Sequence, residues 1–575
     1  MRFLPSRGKL FPVFLFPLLA ASLARILVSY ELQDSPLRYY HTIDGLDMKW
    51  IVDAGESFYN GTGFFNIYSA LVALSYHLNG QTHQVEFIVA LQFLCGCISA
   101  LLVTYIVLKT SGSKVSAVLA GCAAGLYLPE MIYETQILKE SIYLTLACAS
   151  FALLIKSTRK KFSIPLALSA GIFAFIPALL RLPGAFAGAV ISLIFGLLLF
   201  RKFKKGLICK RRALLIISVY LAGALPVLSV FTGVCLRNGV SAFSKWTSYY
   251  MQKGAEPMSS TMNITQVPET EKTSIPVRYL TKVRDIFKSF EICNNINYYF
   301  VKNQLGAAGY LEGPLLLLPF GICGLVLMLL RRRFMKKEGI YFAFLLAYGL
   351  PILAFVPLAR YRLVLLPVFC AGAAYFIMYF ARTIFRDFRN RSLYKSGILA
   401  LLYIVVLYWS IPENIPVRSE DFLVHGLAIS AGRKNTDEVE KYFLKAYEMN
   451  PDSRSVVLYF SGELTRKGKY TESEAVLRNY LGNHPDDPKC MINLAVLYNT
   501  MVRPDLAEKV ILSMKTPEDP RGKTFYYYNL GVSYMLQARK AEADSCFQKA
   551  LETADGQKAQ LLKKAIEFNK HNKRP

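Results

Sequence analysis

Residues 11–27 read FPVFLFPLLAASLARIL, an apolar run broken by the single charge of Arg25. A membrane-spanning helix needs about 20 mostly apolar residues. Arg2, Arg7 and Lys9 precede the run, so a cleaved leader is the competing reading. The run is longer than a leader's apolar core, carries Arg25 inside it and offers no small-x-small cleavage site. It is read as an uncleaved first span. Ten more runs of the same kind follow, centred near Ser99, Gly121, Ala147, Ala170, Ser192, Leu221, Gly321, Ala347, Ala371 and Ile404. The expected fold class is therefore α, a polytopic membrane helical bundle of about eleven spans over residues 1–411.

A chain of 575 residues exceeds one ordinary domain, and its 53% hydrophobic content excludes disordered and collagen-like classes. The formal net charge is +27, which in a soluble protein points to nucleic acid. Locating the charge removes that reading. Up to Ile411 there are 42 basic and 18 acidic residues; beyond it, 25 and 22. The excess belongs to the apolar half. Counting gaps alternately from a cytoplasmic N-terminus places 26 basic residues on one side, in clusters such as Lys156–Lys161, Arg201–Arg212, Arg331–Lys337 and Arg382–Lys395. Only Glu338 and Asp387 oppose them there. By the positive-inside rule this side is the cytoplasm. An odd number of spans then puts the region from about Pro412 outside it.

From Ser419 the composition turns mixed-charge with a helical apolar period. Pro451 and Pro485 lie 34 residues apart, each closing a similar unit. The first runs through Gly426, Gly432, Tyr442 and Ala446; the second through Gly462, Gly468, Tyr470, Ala475 and Tyr480. A third carries Ala495, Tyr498, Ala507 and Pro517, and a fourth Gly531, Tyr534, Ala543, Phe547 and Ala550. This resembles the tetratricopeptide repeat, an α-solenoid whose small residues let paired helices close up. Residues 412–575 are expected to form an extracytoplasmic repeat domain, with Lys558–Asn572 as a solvating cap. Such a domain either only adds a stable soluble body or presents a concave surface to a protein or glycan partner.

Charges beside a bilayer are costly and so informative. On the outer side they recur in order: Asp44 and Asp47 in the first loop; Glu134, Lys139 and Glu140 before the fourth span; Arg181 after the fifth; Arg360 and Arg362 between the ninth and tenth. Carboxylates and cations gathered on one face suit proton transfer and the holding of an anion such as a phosphate. Arginine suits the second task through its planar fork. Asp44 is the first candidate base and Asp47 its substitute; Arg181, Arg360 and Arg362 are phosphate candidates. The bland alternatives are a solvated loop for the acids and interface snorkelling for the arginines. Glu134, Lys139 and Glu140 either line a substrate site or pair with each other.

The ordered stretches Ser35–Pro36–Leu37 to Asp44, Tyr133–Glu134 to Lys139–Glu140–Ser141, Leu180–Arg181 and Ala359–Arg360–Tyr361–Arg362 to Pro367 together resemble the glycosyltransferase C superfamily. The similarity is greatest to family 39-like protein mannosyltransferases and bacterial lipid-linked sugar transferases, over about residues 10–410. Spans followed by repeats resemble the transmembrane-and-tetratricopeptide O-mannosyltransferases. The resemblance implies an inverting enzyme of the bacterial inner membrane that uses a polyprenyl-phosphate sugar, with Asp44 at its centre. This chain departs from the pattern at Asp47, where relatives carry an aromatic residue, and at Asn66–Ile67–Tyr68, where they carry Pro-Leu-Tyr. The first departure leaves Asp44 and Asp47 both open.

No GxGxxG or GxxxxGK[ST] stretch is present, and no HExxH or CxxC spacing assigns a metal ligand. His41 beside Asp44 and Asp47 leaves a divalent cation open as a cofactor. Trp246, Tyr249, Tyr250, Tyr279 and Tyr298–Tyr299–Phe300 in the long outer loop suit sugar stacking and the membrane interface equally. Two other functions compete: a transporter or flippase for a lipid-linked sugar, with charges through the span centres, and a non-catalytic scaffold displaying repeats.

Overall fold

A computed structural model describes residues 10–62, 67–79, 85–157, 163–237, 275–291, 293, 296–311, 313–354, 358–411, 417–432, 436–554, 563 and 566. Trp246, Tyr249, Tyr250, Asn66, the first basic cluster and most of the expected cap helix lie outside these. The chain divides into two compact units, Met1–Val417 and Arg418–Pro575. Both are helical, with no strand among the described residues.

In the first unit the helices are α1 (Phe11–Leu32), α2 (Asp47–Tyr59), α3 (Ile67–Asn79), α4 (Glu86–Ser111), α5 (Lys114–Gly125), α6 (Leu128–Glu134), α7 (Glu140–Ser157), α8 (Ile164–Phe175), α9 (Pro183–Lys204) and α10 (Lys210–Arg237). After them come α11 (Ile275–Phe287), α12 (Tyr298–Lys302), α13 (Pro314–Leu330), α14 (Gly339–Ala354), α15 (Ala359–Arg362), α16 (Leu366–Arg389) and α17 (Tyr394–Ser410). All eleven span centres read from the sequence fall on these helices. The protein is an integral membrane protein.

Among the described residues, seven segments are long and apolar enough to cross a bilayer, and an eighth if α5 and α6 count as one. That pair is bent by 44° at Leu126–Tyr127, where Pro129 in the first turn of α6 has no N–H to continue the ladder. The other three centres sit on shorter apolar helices, α8, α14 and α17. α8 tightens into a 3-10 turn at Ile176–Leu179 around Pro177, and α14 contains Pro351. Length alone therefore marks fewer crossings than hydropathy does. The helices approach through small residues, as membrane bundles require. Between α13 and α16, a Cβ on Gly324 would run into the Gly372 backbone, and one on Gly372 into that of Gly321.

The second unit is four helix pairs: α18 (Ser419–Ala431) with α19 (Thr436–Met449), α20 (Arg454–Arg466) with α21 (Tyr470–Asn483), α22 (Pro488–Thr500) with α23 (Pro504–Ser513), and α24 (Pro520–Leu536) with α25 (Lys540–Thr553). Pro451 and Pro485 follow the second helices of the first two pairs, since proline cannot extend a helix that precedes it. The repeated small residue has one physical job. A side chain on Gly426 would strike the ring of Phe443, and one on Gly531 the ring of Phe547. Ala495 and Ala507, wholly buried, serve the third pair. Ile566, from the expected cap, is buried with Ala543, Phe547 and Ala550.

Candidate active site

Several spans end in short breaks, and the charged residues sit in those breaks. Asp47 opens α2, just after Gly45, whose φ of +90° turns the chain into the helix. Lys139 and Glu140 lie where α7 begins, after the turn that leaves α6. Arg181 lies between the 3-10 turn after α8 and the start of α9. Arg360 is on α15, a single turn ahead of α16.

These five residues line one cavity of about 360 Å³. Arg360 Nη1 pairs with Asp47 Oδ2 at 2.5 Å, and its Nε stands 3.9 Å from Glu140 Oε1. Glu140 is in turn paired with Arg181 Nη2. The ring of Tyr361 carries both guanidinium groups, with Arg181 4.6 Å and Arg360 4.9 Å from its centroid. Cation–π contact of this kind fixes the arginines without consuming their donors. Three cations face two carboxylates, so one positive charge is in excess. Lys139 has no ion-pair partner among the described residues. Burial, then the neighbouring Arg181, pulls its amine down to about 8.

Among the described residues, four polar atoms at the cavity are buried without a hydrogen bond: Arg360 Nε, Glu140 Oε2 and the Tyr143 and Tyr348 hydroxyls. Buried polar groups are almost always satisfied, so four at one cavity mark a place for a polar ligand. The rest of the lining is apolar, including Ile51, Leu138, Leu180, Pro183, Ile352 and Val364, with Trp50 at 74% exposure. An anionic head group with an apolar tail fits such a lining.

The other three predicted residues lie elsewhere. Asp44 is exposed and outside the lining. Glu134 is buried, its carboxylate held by Arg25 of α1 through Nε–Oε2 and Nη2–Oε1, both 2.8 Å. Glu130 stands 3.6 Å from the same guanidinium. Arg362 is buried against Glu291 at 2.9 Å and donates to the carbonyls of Lys288 and Phe290. Tyr143, Tyr348 and Tyr361 at the cavity are not singled out by sequence reasoning. For Tyr143 a signal exists: it stands three residues after Glu140, on the same helix face.

Among the described residues, no three His, Cys, Asp or Glu side chains gather as a metal site. His41 and the two aspartates form no such group.

The tetratricopeptide repeat family matches residues 526–555, which is most of α24 together with α25. The fourth helix pair is a tetratricopeptide repeat. Among solved structures, this chain is similar to the crystal structure of ArnT from Cupriavidus metallidurans bound to undecaprenyl phosphate. The identity is 14% and the TM-score 0.37, over 90% of this chain and 82% of that one. No curated protein matches the chain.

Proposed function

We propose that the protein is an inverting, integral-membrane glycosyltransferase that moves a sugar from a polyprenyl-phosphate donor to a protein or glycan acceptor. The reaction takes place on the extracytoplasmic face. Residues 1–411 carry the transfer, and the repeats of 412–575 recruit or orient the acceptor. The observation that carries this reading is the convergence of Asp47, Lys139, Glu140, Arg181 and Arg360, from four separate stretches, on one cavity with apolar walls.

In this reading Asp47 is the base. Arg360 occupies its Oδ2, and Oδ1 remains to take the acceptor's hydroxyl proton. The acceptor oxygen attacks the anomeric carbon as the bond to the phosphate oxygen breaks. Lys139 and Arg181 take up the charge that the departing phosphate gains, in a site whose low polarity strengthens the attraction. Glu140 holds Arg181 and keeps its fork aimed inward. A resident divalent cation is not needed for these roles.

Sugar transfer in membranes supplied with labelled polyprenyl-phosphate sugars tests the assignment. Asp47→Asn is expected to lower transfer by about 10²- to 10⁴-fold, with Asp44→Asn close to wild type. Full activity in Asp47→Asn removes the catalytic role; loss in Asp44→Asn alone moves the base to the loop before α2. A lipid-linked-sugar transporter is the second reading, favoured by the buried Arg25–Glu130–Glu134 group inside the bundle. Movement of the labelled lipid across vesicles without transfer would establish it.

A further inference from the structure

Gln92 lies in the second turn of α4, wholly buried between apolar neighbours. An amide at such a place is costly unless every group is satisfied. Its Nε2 donates to the carbonyls of Glu134 and Gln136, both at 2.7 Å. Its Oε1 accepts from the Tyr68 hydroxyl of α3 at 2.8 Å, and the same hydroxyl stands 2.9 Å from the Leu138 carbonyl. One hydroxyl proton is thus shared between two acceptors. Carbonyls at alternate positions, 134, 136 and 138, are all held from behind by one amide–phenol pair.

Arg25 grips the start of the same segment. Besides the Glu134 carboxylate, it donates from Nη1 to the carbonyls of Gly125 and Ala21, at 3.1 and 3.2 Å. The segment so held runs straight into Lys139 and Glu140. Of the two, Glu140 pairs with Arg181, and Lys139 has no ion-pair partner among the described residues. The turn from 135 to 139 has no helical ladder of its own to fix it. Three short backbone bonds, from Thr135, Gln136 and Leu138, shape it, and side chains of α1, α3 and α4 hold it against the bundle.

We infer that Arg25, Tyr68 and Gln92 are positioning residues that set Lys139 and Glu140 in the cavity through the backbone of residues 134–138. The inference rests on the glycosyltransferase reading of that cavity. A shift of about 1 Å in a group that binds reacting atoms costs on the order of 10²-fold in rate. Reacting constellations therefore need supporting hydrogen bonds of this kind. Tyr68→Phe removes one shared proton and leaves the packing intact. Gln92→Leu removes both amide donors, taking the donor from the Glu134 carbonyl and leaving the Gln136 carbonyl with the Leu138 N–H.

The test uses the full-length protein in lipid nanodiscs, with two readouts. The first is transfer from a polyprenyl-phosphate sugar, measured for Tyr68→Phe and Gln92→Leu in wild-type and Lys139→Met backgrounds. The expected loss in kcat is about 10-fold for Tyr68→Phe and about 100-fold for Gln92→Leu. In the Lys139→Met background the Tyr68→Phe effect shrinks to under about 2-fold, because coupled residues are non-additive. A purely structural role gives the same fold loss in both backgrounds, and that result overturns the inference.

The second readout is the rate at which acetic anhydride acylates Lys139, followed by mass spectrometry. A change of about 2-fold or more in Tyr68→Phe, with melting temperature retained, supports positioning; an unchanged rate overturns it. This readout needs no substrate. If wild type transfers sugar from no donor, the glycosyltransferase reading fails while the acylation rates still decide the brace.

Discussion

Arg360 and Arg362 stand two residues apart on one helical turn, both arginines on the same apolar background, and they have opposite surroundings. Arg362 is enclosed. Glu291 takes its charge, carbonyls of the 285–290 segment take its donors, and Tyr127 hydrogen-bonds to the same carboxylate at 2.7 Å. The space left beside it is about 10 Å³, room for one water at most. Arg360 faces about 360 Å³, with its Nε unpartnered and an aspartate 49% exposed at the far side. One arginine is fully engaged by the fold; in the proposed reading the other meets the ligand. A buried ion pair by itself says little about function; what distinguishes a site is the polar capacity left over.

The difference is open to test by exchanging the roles. Arg360→Ala is expected to reduce sugar transfer on the order of 10²- to 10³-fold while the unfolding temperature stays near wild type. Arg362→Ala strands Glu291 and several carbonyls, and is expected to cost about 3–5 kcal/mol of stability. Thermal unfolding and transfer, measured on both variants, decide the matter. A stable, inactive Arg362→Ala with an active Arg360→Ala would invert the comparison.

His425 in α18, buried in the second unit, sharpens the contrast. It packs 4.7 Å from the Tyr442 ring, and burial pulls its imidazole down to about 4. The charged form is disfavoured in the folded state. As pH falls from 6.5 towards 4, the unfolded chain takes up a proton that the folded chain refuses. Stability is lost through that window, by about 3 kcal/mol at its end. Hydrogen exchange of α18 and α19 in the full chain reads this directly, and His425→Asn should flatten it.

Lys139 gives the smallest and most site-specific effect. Its amine, at about 8 in the unliganded cavity, carries its charge below that pH and sheds it above. Affinity for a polyprenyl phosphate is expected to weaken as pH rises through about 8, by up to about 10-fold per unit. Lys139→Met should bind more weakly and show no such dependence. A pH profile shared by the two proteins would assign the titration to another group.

Much of the fold is legible in the sequence because its signals are long and redundant. Every span centre from Leu19 to Ile404 rests on an apolar helix, since each run of bulky apolar residues has only one economical use. The four repeat units appear as four helix pairs because Gly426 and Gly531 face rings that tolerate nothing larger. The site is less evenly legible. Asp47, Lys139, Glu140, Arg181 and Arg360 are visible as charges in a place where charge is costly. Composition cannot separate Arg360 from Arg362 or Asp47 from Asp44, because the deciding fact is which way a single helical turn faces. Gln92 carried a usable sign, an amide inside an apolar run. Tyr68 and Tyr143 carried little, since tyrosine is common where a membrane helix meets water.

The most direct test of the cavity's role is a cryo-EM map of the full chain in lipid nanodiscs with a polyprenyl phosphate bound. Phosphate density is expected within hydrogen-bond reach of Lys139 and Arg181, beside Asp47 and Arg360, with the first isoprene units against the apolar wall. Phosphate density at the Arg25–Glu134 group, or away from the cavity altogether, would contradict it.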